Sequence, residues 1–169
     1  MALNIVLVEP EIPQNTGNIA RTCALTNTIL HLVKPLGFSV EDKYLKRAGL
    51  DYWHLVEINY YENFKELIEK YPDKSFFYAT TKGKNIYTNI EFTRDSFIVF
   101  GKETKGLPDN ILDNNWDKTI KIPMKKQSKR SLNLANSVNI ILFEALRQLN
   151  FPYLEWKIYD IIKLNLVYI

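Results

Sequence analysis

The run Leu3–Val8 constrains the fold more than any other stretch. It has the length of a strand and puts apolar side chains on both faces of an extended chain. A strand wetted on one side would alternate polar and apolar, so this one has to be covered above and below, as in a parallel sheet with helices on both faces. The rest of the chain keeps that rhythm. Pro10 and Pro13 predict an extended loop, with Asn15, Thr16 and Asn18 supplying capping side chains for an apolar-rich helix to about Thr26. Ile29–Val33 reads as a second strand, closed by Pro35 and Gly37. Ser39 and Asp42 look like a capping box with Asp in place of Glu, opening a short helix to Ala48. Trp53–Ile58 alternates weakly and is expected to be a strand. Glu62–Tyr71 is an amphipathic helix stopped by Pro72. Ser75–Thr80, Ser96–Phe100 and Thr119–Pro123 are strands, and Pro108–Leu112 begins a short helix. The longest helix is expected from about Leu132 to Leu149. Its apolar residues, Leu134, Val138, Ile141, Leu142, Ala145, Leu146 and Leu149, recur at helical spacing, and Pro152 ends it. Strands alternating with helices make this an α/β chain with a largely parallel sheet flanked by helices. Its 169 residues are expected to form one domain. The tail from Tyr153 to Ile169 is too apolar for a solvated end and is expected to pack on the body or on a partner chain.

Several function classes drop out. No apolar run reaches the roughly 18 residues of a membrane helix, and the N-terminus lacks the basic flank of a signal peptide. One cysteine, Cys23, allows no internal disulfide and fits a reducing cytoplasm. Neither G-x-G-x-x-G nor G-x-x-x-x-G-K-[ST] occurs, so the glycine signals for dinucleotides and nucleoside triphosphates are missing. The two histidines, His31 and His54, have no companions at metal-ligand spacing. Both are expected to be structural, and no metal is expected. Net charge is only +3, but its distribution is uneven. Lys118, Lys121, Lys125, Lys126, Lys129 and Arg130 follow one another without an acid between Lys118 and Lys121 or between Lys121 and Arg130. Lys43, Lys46 and Arg47 form a second cluster. Local density of this kind attracts phosphate, although a solvated surface is the commoner use of any single lysine.

Three constellations remain. The first is Asn15-Thr16-Gly17-Asn18-Ile19-Ala20-Arg21, at the start of a helix whose free N–H groups can hold a phosphate or a ribose. The second is Phe100-Gly101-Lys102-Glu103-Thr104-Lys105-Gly106-Leu107-Pro108, directly after an apolar strand. Its glycines permit tight turns or close backbone approach, and Glu103 sits where ligands of α/β sheets bind. The third is Ile122-Pro123-Met124 followed by Arg130-Ser131-Leu132-Asn133-Leu134-Ala135-Asn136-Ser137-Val138. Ser131 is expected to cap the long helix. Asn133 and Asn136 weaken its start unless their amides find partners. Simple capping and ion pairing could account for each constellation alone. Since all three lie at strand-to-helix turns, all can converge on one sheet edge.

Together they resemble the three motifs of the trefoil-knot (SPOUT) ribose methyltransferases: N-x-x-N-I-x-R-T, F-G-x-E-x-x-G-L-P, and I-P-M with R-S-L-N-L-x-x-S-V. The segments Val8-Glu9-Pro10-Glu11-Ile12-Pro13 and Arg47-Ala48-Gly49-Leu50-Asp51-Tyr52 are similar to the TrmL/YibK subgroup, and the likeness covers about residues 3–152. The resemblance implies a sheet ending in a deep C-terminal trefoil knot, which sequence rules alone would not suggest. It implies transfer of a methyl group from S-adenosyl-L-methionine (SAM) to the ribose 2′-hydroxyl of the wobble nucleotide, cytidine or uridine 34, in leucine tRNAs, by a homodimer. It also implies that Ala79, Thr80, Gly101, Glu103, Ile122, Met124, Ser131 and Leu132 hold the cofactor. Arg21 would act beside the 2′-hydroxyl, with Asn15, Glu103, Ser131 and Asn133 completing the catalytic set. The basic residues Arg21, Lys125, Lys126, Lys129 and Arg130 are the expected RNA contacts. A related enzyme for another tRNA or ribosomal RNA position, or a non-catalytic RNA-binding protein, are the alternatives.

Overall fold

A computed structural model describes residues 2–39, 53–125, 130–152 and 154. The expected helix after its cap Ser39, as far as Ala48, the cluster Lys43, Lys46 and Arg47, the pair Lys126 and Lys129, the side chain of His54, and the tail apart from Leu154 lie outside the described residues.

In chain order the elements are β1 (Asn4–Val8), α1 (Pro13–Thr26), β2 (Ile29–Val33), β3 (Ile58–Tyr61), α2 (Phe64–Lys70), β4 (Phe76–Ala79), β5 (Asn85–Ile86), β6 (Phe97–Phe100), α3 (Asp109–Leu112), β7 (Thr119–Lys121) and α4 (Leu134–Gln148). The strands form one sheet in the order β3-β2-β1-β6-β4-β7-β5. Every described pairing is parallel, from Ile5↔Leu30 and Ile5↔Ile98 around β1 to Asn85↔Ile120 at the edge. The apolar run that opened the chain lies between β2 and β6, and all six of its residues are buried.

Both faces of that run are used. Ile5 and Leu7 join Leu30, Leu32, Ile98 and Ile120 under α1 and α4, where Ile19, Cys23, Val138, Ile141 and Leu142 complete one core. Val6 and Val8 join Val33, Phe97 and Val99 on the other face, under Leu67 of α2 and Ile111 and Leu112 of α3. The result is three layers with the sheet in the middle. Fully burying side chains of this size contributes about 1.5–3 kcal/mol each. Among the described residues no helix is long and apolar enough to cross a membrane.

His31 is structural, as expected. Its Nδ1 lies 3.0 Å from the Tyr61 hydroxyl and its Nε2 2.9 Å from Asn4 Oδ1. Burial, with Lys70 nearby, lowers its pKa from 6.5 to about 4.

The local expectations need four corrections. Helix α1 begins at Pro13, one turn earlier than expected. Ile12 is its cap residue and makes no side-chain cap bond, so Asn15, Thr16 and Asn18 lie inside the helix. Pro13 does not extend a loop. It occupies the first turn, where its missing N–H costs nothing. Trp53–Leu55 is a 3-10 turn, and the strand follows it at Ile58–Tyr61. The long helix is capped by Asn133, whose side chain accepts from the Ala135 and Asn136 N–H groups, and not by Ser131. Finally, the short edge strand β5 was not anticipated. Two residues carry too little periodicity to be seen.

Candidate functional site

Four consecutive strands of the sheet, β1, β6, β4 and β7, point their carboxyl ends at one edge. The chain leaves β1 for α1 on one face and leaves β6 for α3 on the other. A crevice opens where neighbouring strands part in this way.

The exit from β1 is a bent one. Glu9 stands in the left-handed region at φ 53°, a conformation costing of order 1 kcal/mol for a residue with a side chain. Two contacts hold it there. Its N–H donates to the Val33 carbonyl at 2.9 Å, and its carboxylate accepts from Lys102 Nζ at 2.6 Å. The bend sends Pro10–Ile12 across the crevice and aims the next N–H groups at Glu103.

Glu103 is the hub of the edge. One carboxylate oxygen accepts from the Glu11 N–H at 2.9 Å. The other accepts from the Ile12 N–H at 3.3 Å and from Asn15 Nδ2 at 2.9 Å. A negative charge at the start of α1 is also favoured by the helix dipole. Asn15 Oδ1 then accepts from Asn133 Nδ2 at 2.9 Å, and Asn133 Oδ1 caps α4. A carboxylate only accepts, so Asn15 must turn its NH₂ toward Glu103 and its oxygen toward Asn133, and Asn133 must turn its NH₂ toward Asn15. One charge thereby orients two amides and ties together the three constellations, with Glu103 and Asn133 lying 88 and 118 residues from Asn15 along the chain.

The loop carrying Glu103 is itself tightly folded. The Gly106 N–H donates to the Lys102 carbonyl at 2.8 Å, and Glu11 accepts from the Thr104 N–H at 3.2 Å and from its hydroxyl at 3.1 Å. A Cβ at position 101 would stand 2.0 Å from the Gly106 carbonyl carbon, and Gly106 turns at φ 71°. The sequence expectation that these two glycines serve close approach and a tight turn is met at both.

These loops wall a cavity of about 400 Å³, within the usual range for small-molecule sites. Of the residues expected from sequence, Asn15, Ala79, Thr80, Gly101, Glu103, Ile122, Met124, Ser131, Leu132 and Asn133 all line it. Ile12, Met124 and Leu132 are large apolar side chains left exposed at the wall, at 42%, 39% and 39%. Lys125, Arg130 and Arg21 are exposed and do not line the cavity. Arg21 sits on the outer side of α1. The sequence missed Ile12, Lys82, Lys102, Lys105 and Lys121 as wall residues. Lys105 stood inside the second constellation, and Lys121 ends a strand next to the third. Lys82 carried no signal.

Residues 2–143 match the family described as "SpoU rRNA Methylase family". A Bacillus subtilis (strain 168) protein is 52% identical over 158 residues, covering 92% of this chain and 98% of the relative. A Methylovorus glucosotrophus (strain SIP3-4) protein named tRNA (cytidine(34)-2′-O)-methyltransferase is 48% identical over 149 residues, covering 88% of this chain and 96% of its own length. A solved structure described as "Structural insights into the 2-OH methylation of C/U34 on tRNA" is 41% identical with a TM-score of 0.81, covering 88% of this chain and 97% of that one. The SpoU methyltransferase AviRb of Streptomyces viridochromogenes, solved in complex with AdoMet, has a TM-score of 0.76 at 24% identity. The overlap covers 88% of this chain and 58% of that one, and the likeness is one of fold.

Proposed function

This chain belongs to the SpoU rRNA methylase family, and from that premise we propose that it transfers a methyl group from SAM to the ribose 2′-hydroxyl of tRNA nucleotide 34, cytidine or uridine. The observation that carries the reading is the Glu103–Asn15–Asn133 chain, which joins the three constellations around one cavity. The relatives named for cytidine-34 methylation cover nearly their whole length with this chain, which supports the same substrate here. Leucine isoacceptors and a cytoplasmic location belong to the proposal on the strength of the subgroup resemblance.

The cavity suits the cofactor. Its volume is adequate, and it offers both backbone-rich loops, at Ala79–Thr80 and Gly101, and apolar cover, from Ile122, Met124 and Leu132. When bound, SAM supplies an electrophilic methyl on a sulfonium centre. The protein's own task is then alignment and charge. Holding the ribose oxygen in line with that methyl removes an entropic barrier that can reach several kcal/mol. Glu103 has both oxygens engaged by three donors. We therefore assign it to holding α1 against the cavity and not to proton abstraction. Asn15 and Asn133 share that positioning role, and Ser131, which lines the cavity, is assigned to contacting the ligands. A guanidinium, whose pKa exceeds about 12, is a poor base. Arg21 is assigned to binding phosphate and stabilising the oxyanion that develops as the 2′-proton leaves to water.

Arg21 lies on the exposed face of α1, outside the cavity wall, which favours a homodimer in which it serves the partner's cavity. Leu25 on α1 and Phe143 on α4 are 72% and 47% exposed on helices that pack together, apolar surface suited to such an interface. The deep knot is part of the same proposal. It is supported by a strand order in which β6 enters between β1 and β4, and β7 between β4 and β5. The test is incorporation of labelled methyl from SAM into bulk tRNA, with ribosomal RNA as control. Incorporation into tRNA alone is expected. Incorporation into ribosomal RNA alone, or into neither, contradicts the reading.

A further inference from the structure

Away from the cavity, Lys34, Lys65, Lys74 and Lys84 each hold a carboxylate, Glu62, Glu69, Asp95 and Asp117, while Lys70, Lys118 and Lys125 hold none among the described residues. At the cavity wall only Lys102 holds one, that of Glu9. Lys82, Lys105 and Lys121 line the same wall, and their ammonium groups meet no carboxylate among the described residues. Neutralisation is not out of reach for want of acids. Asp109 lines the wall as well, yet pairs with none of them, while Glu11 and Glu103 are occupied by Thr104 and by the start of α1. The three lysines stand on the exits of β4, β6 and β7, which are consecutive in the sheet in the order β6-β4-β7. With strands about 4.8 Å apart, the ends of these three strands span roughly 10 Å. The loop bearing Lys105 is held on its near side by Glu9–Lys102 and Glu11–Thr104.

We propose that Lys82, Lys105 and Lys121 grip the backbone phosphates of the single-stranded nucleotides flanking the methylated one, and so act as positioning residues for the RNA. The proposal rests on the RNA reading above. Phosphate contacts set register and carry no base identity, so C34 and U34 substrates are held alike. Each contact releases counterions, giving a salt slope of about 0.7 per phosphate on a single strand.

The experiment measures tRNA affinity against salt, and SAM affinity by calorimetry, for the wild type and for Lys82→Gln, Lys105→Gln, Lys121→Gln and Lys34→Gln. The expected result is a shallower salt slope for each of the first three, by about 0.7, with SAM affinity and melting temperature unchanged and Lys34→Gln behaving as wild type. Unchanged slopes in the three rim variants overturn the proposal. So does a loss of SAM affinity, which assigns the lysines to the cofactor, or an equal effect of Lys34→Gln, which reduces them to general charge. Failure of the wild type itself to bind tRNA at low salt identifies a failure of the RNA reading and removes this proposal with it.

Discussion

At the scale of single residues, the site depends on one carboxylate whose work is geometric. Glu103 accepts three hydrogen bonds and donates none. Glu103→Gln sets an NH₂ group against N–H donors on one side of the hub. The loss of charge-assisted bonds there is expected to lower unfolding free energy by about 2 kcal/mol and to weaken SAM binding, as read by denaturant titration and calorimetry. Full stability with the reaction abolished would instead mark Glu103 as a chemical base. His31 makes a separate prediction. Its folded-state pKa, about 4, lies below the ordinary 6.5, so the unfolded chain binds the extra proton between those values. The neutral ring's contribution is therefore complete above pH 6.5 and is lost as pH falls toward 4, by about 3 kcal/mol in all. His31→Gln should remove that component from the stability profile, and an unchanged profile would mean that the ring titrates alike in the folded and unfolded chain.

At the scale of elements, α4 carries two functions at its cap residue. Asn133 caps the helix and also donates to Asn15. Asn133→Ala should cost about 1 kcal/mol for the cap together with cofactor affinity. Asn133→Ser should restore most of the stability, because a hydroxyl caps as well, but not the affinity, because it lacks the NH₂ that reaches Asn15. Recovery of both would separate the cap from the cavity and undo the relay. The elements also explain what the sequence could disclose. The doubly apolar run of β1 announced a covered parallel sheet, and the spacing of α4 announced its buried stripe, because each pattern repeats within one element. Gly101 and Gly106 could be read as turn residues for the same local reason. Partners across elements were not legible. The start of α1 is satisfied by Glu103, from a loop 91 residues later, and not by a local cap. Asn15, which looked like a capping residue, is spent on that loop. Ser131 and Asn133 both fit the capping rule, and which one reaches the helix start is decided by the loop before it.

At the scale of the whole molecule, a site built from one chain's cavity and another chain's Arg21 makes a strong prediction. Arg21→Ala and Gly101→Val variants, each inactive alone, should regain part of the activity when subunits are exchanged, since one of the mixed sites then has both an intact cavity and an intact arginine. No recovery after verified exchange would confine each site to one subunit. The central claim concerns which atom of which nucleotide is changed. The most direct measurement is mass-spectrometric mapping of purified leucine tRNA after incubation with this protein and isotopically labelled SAM. The account predicts label on the ribose 2′-oxygen of nucleotide 34 and nowhere else; label on a base, or on the ribose of a different nucleotide, would contradict it.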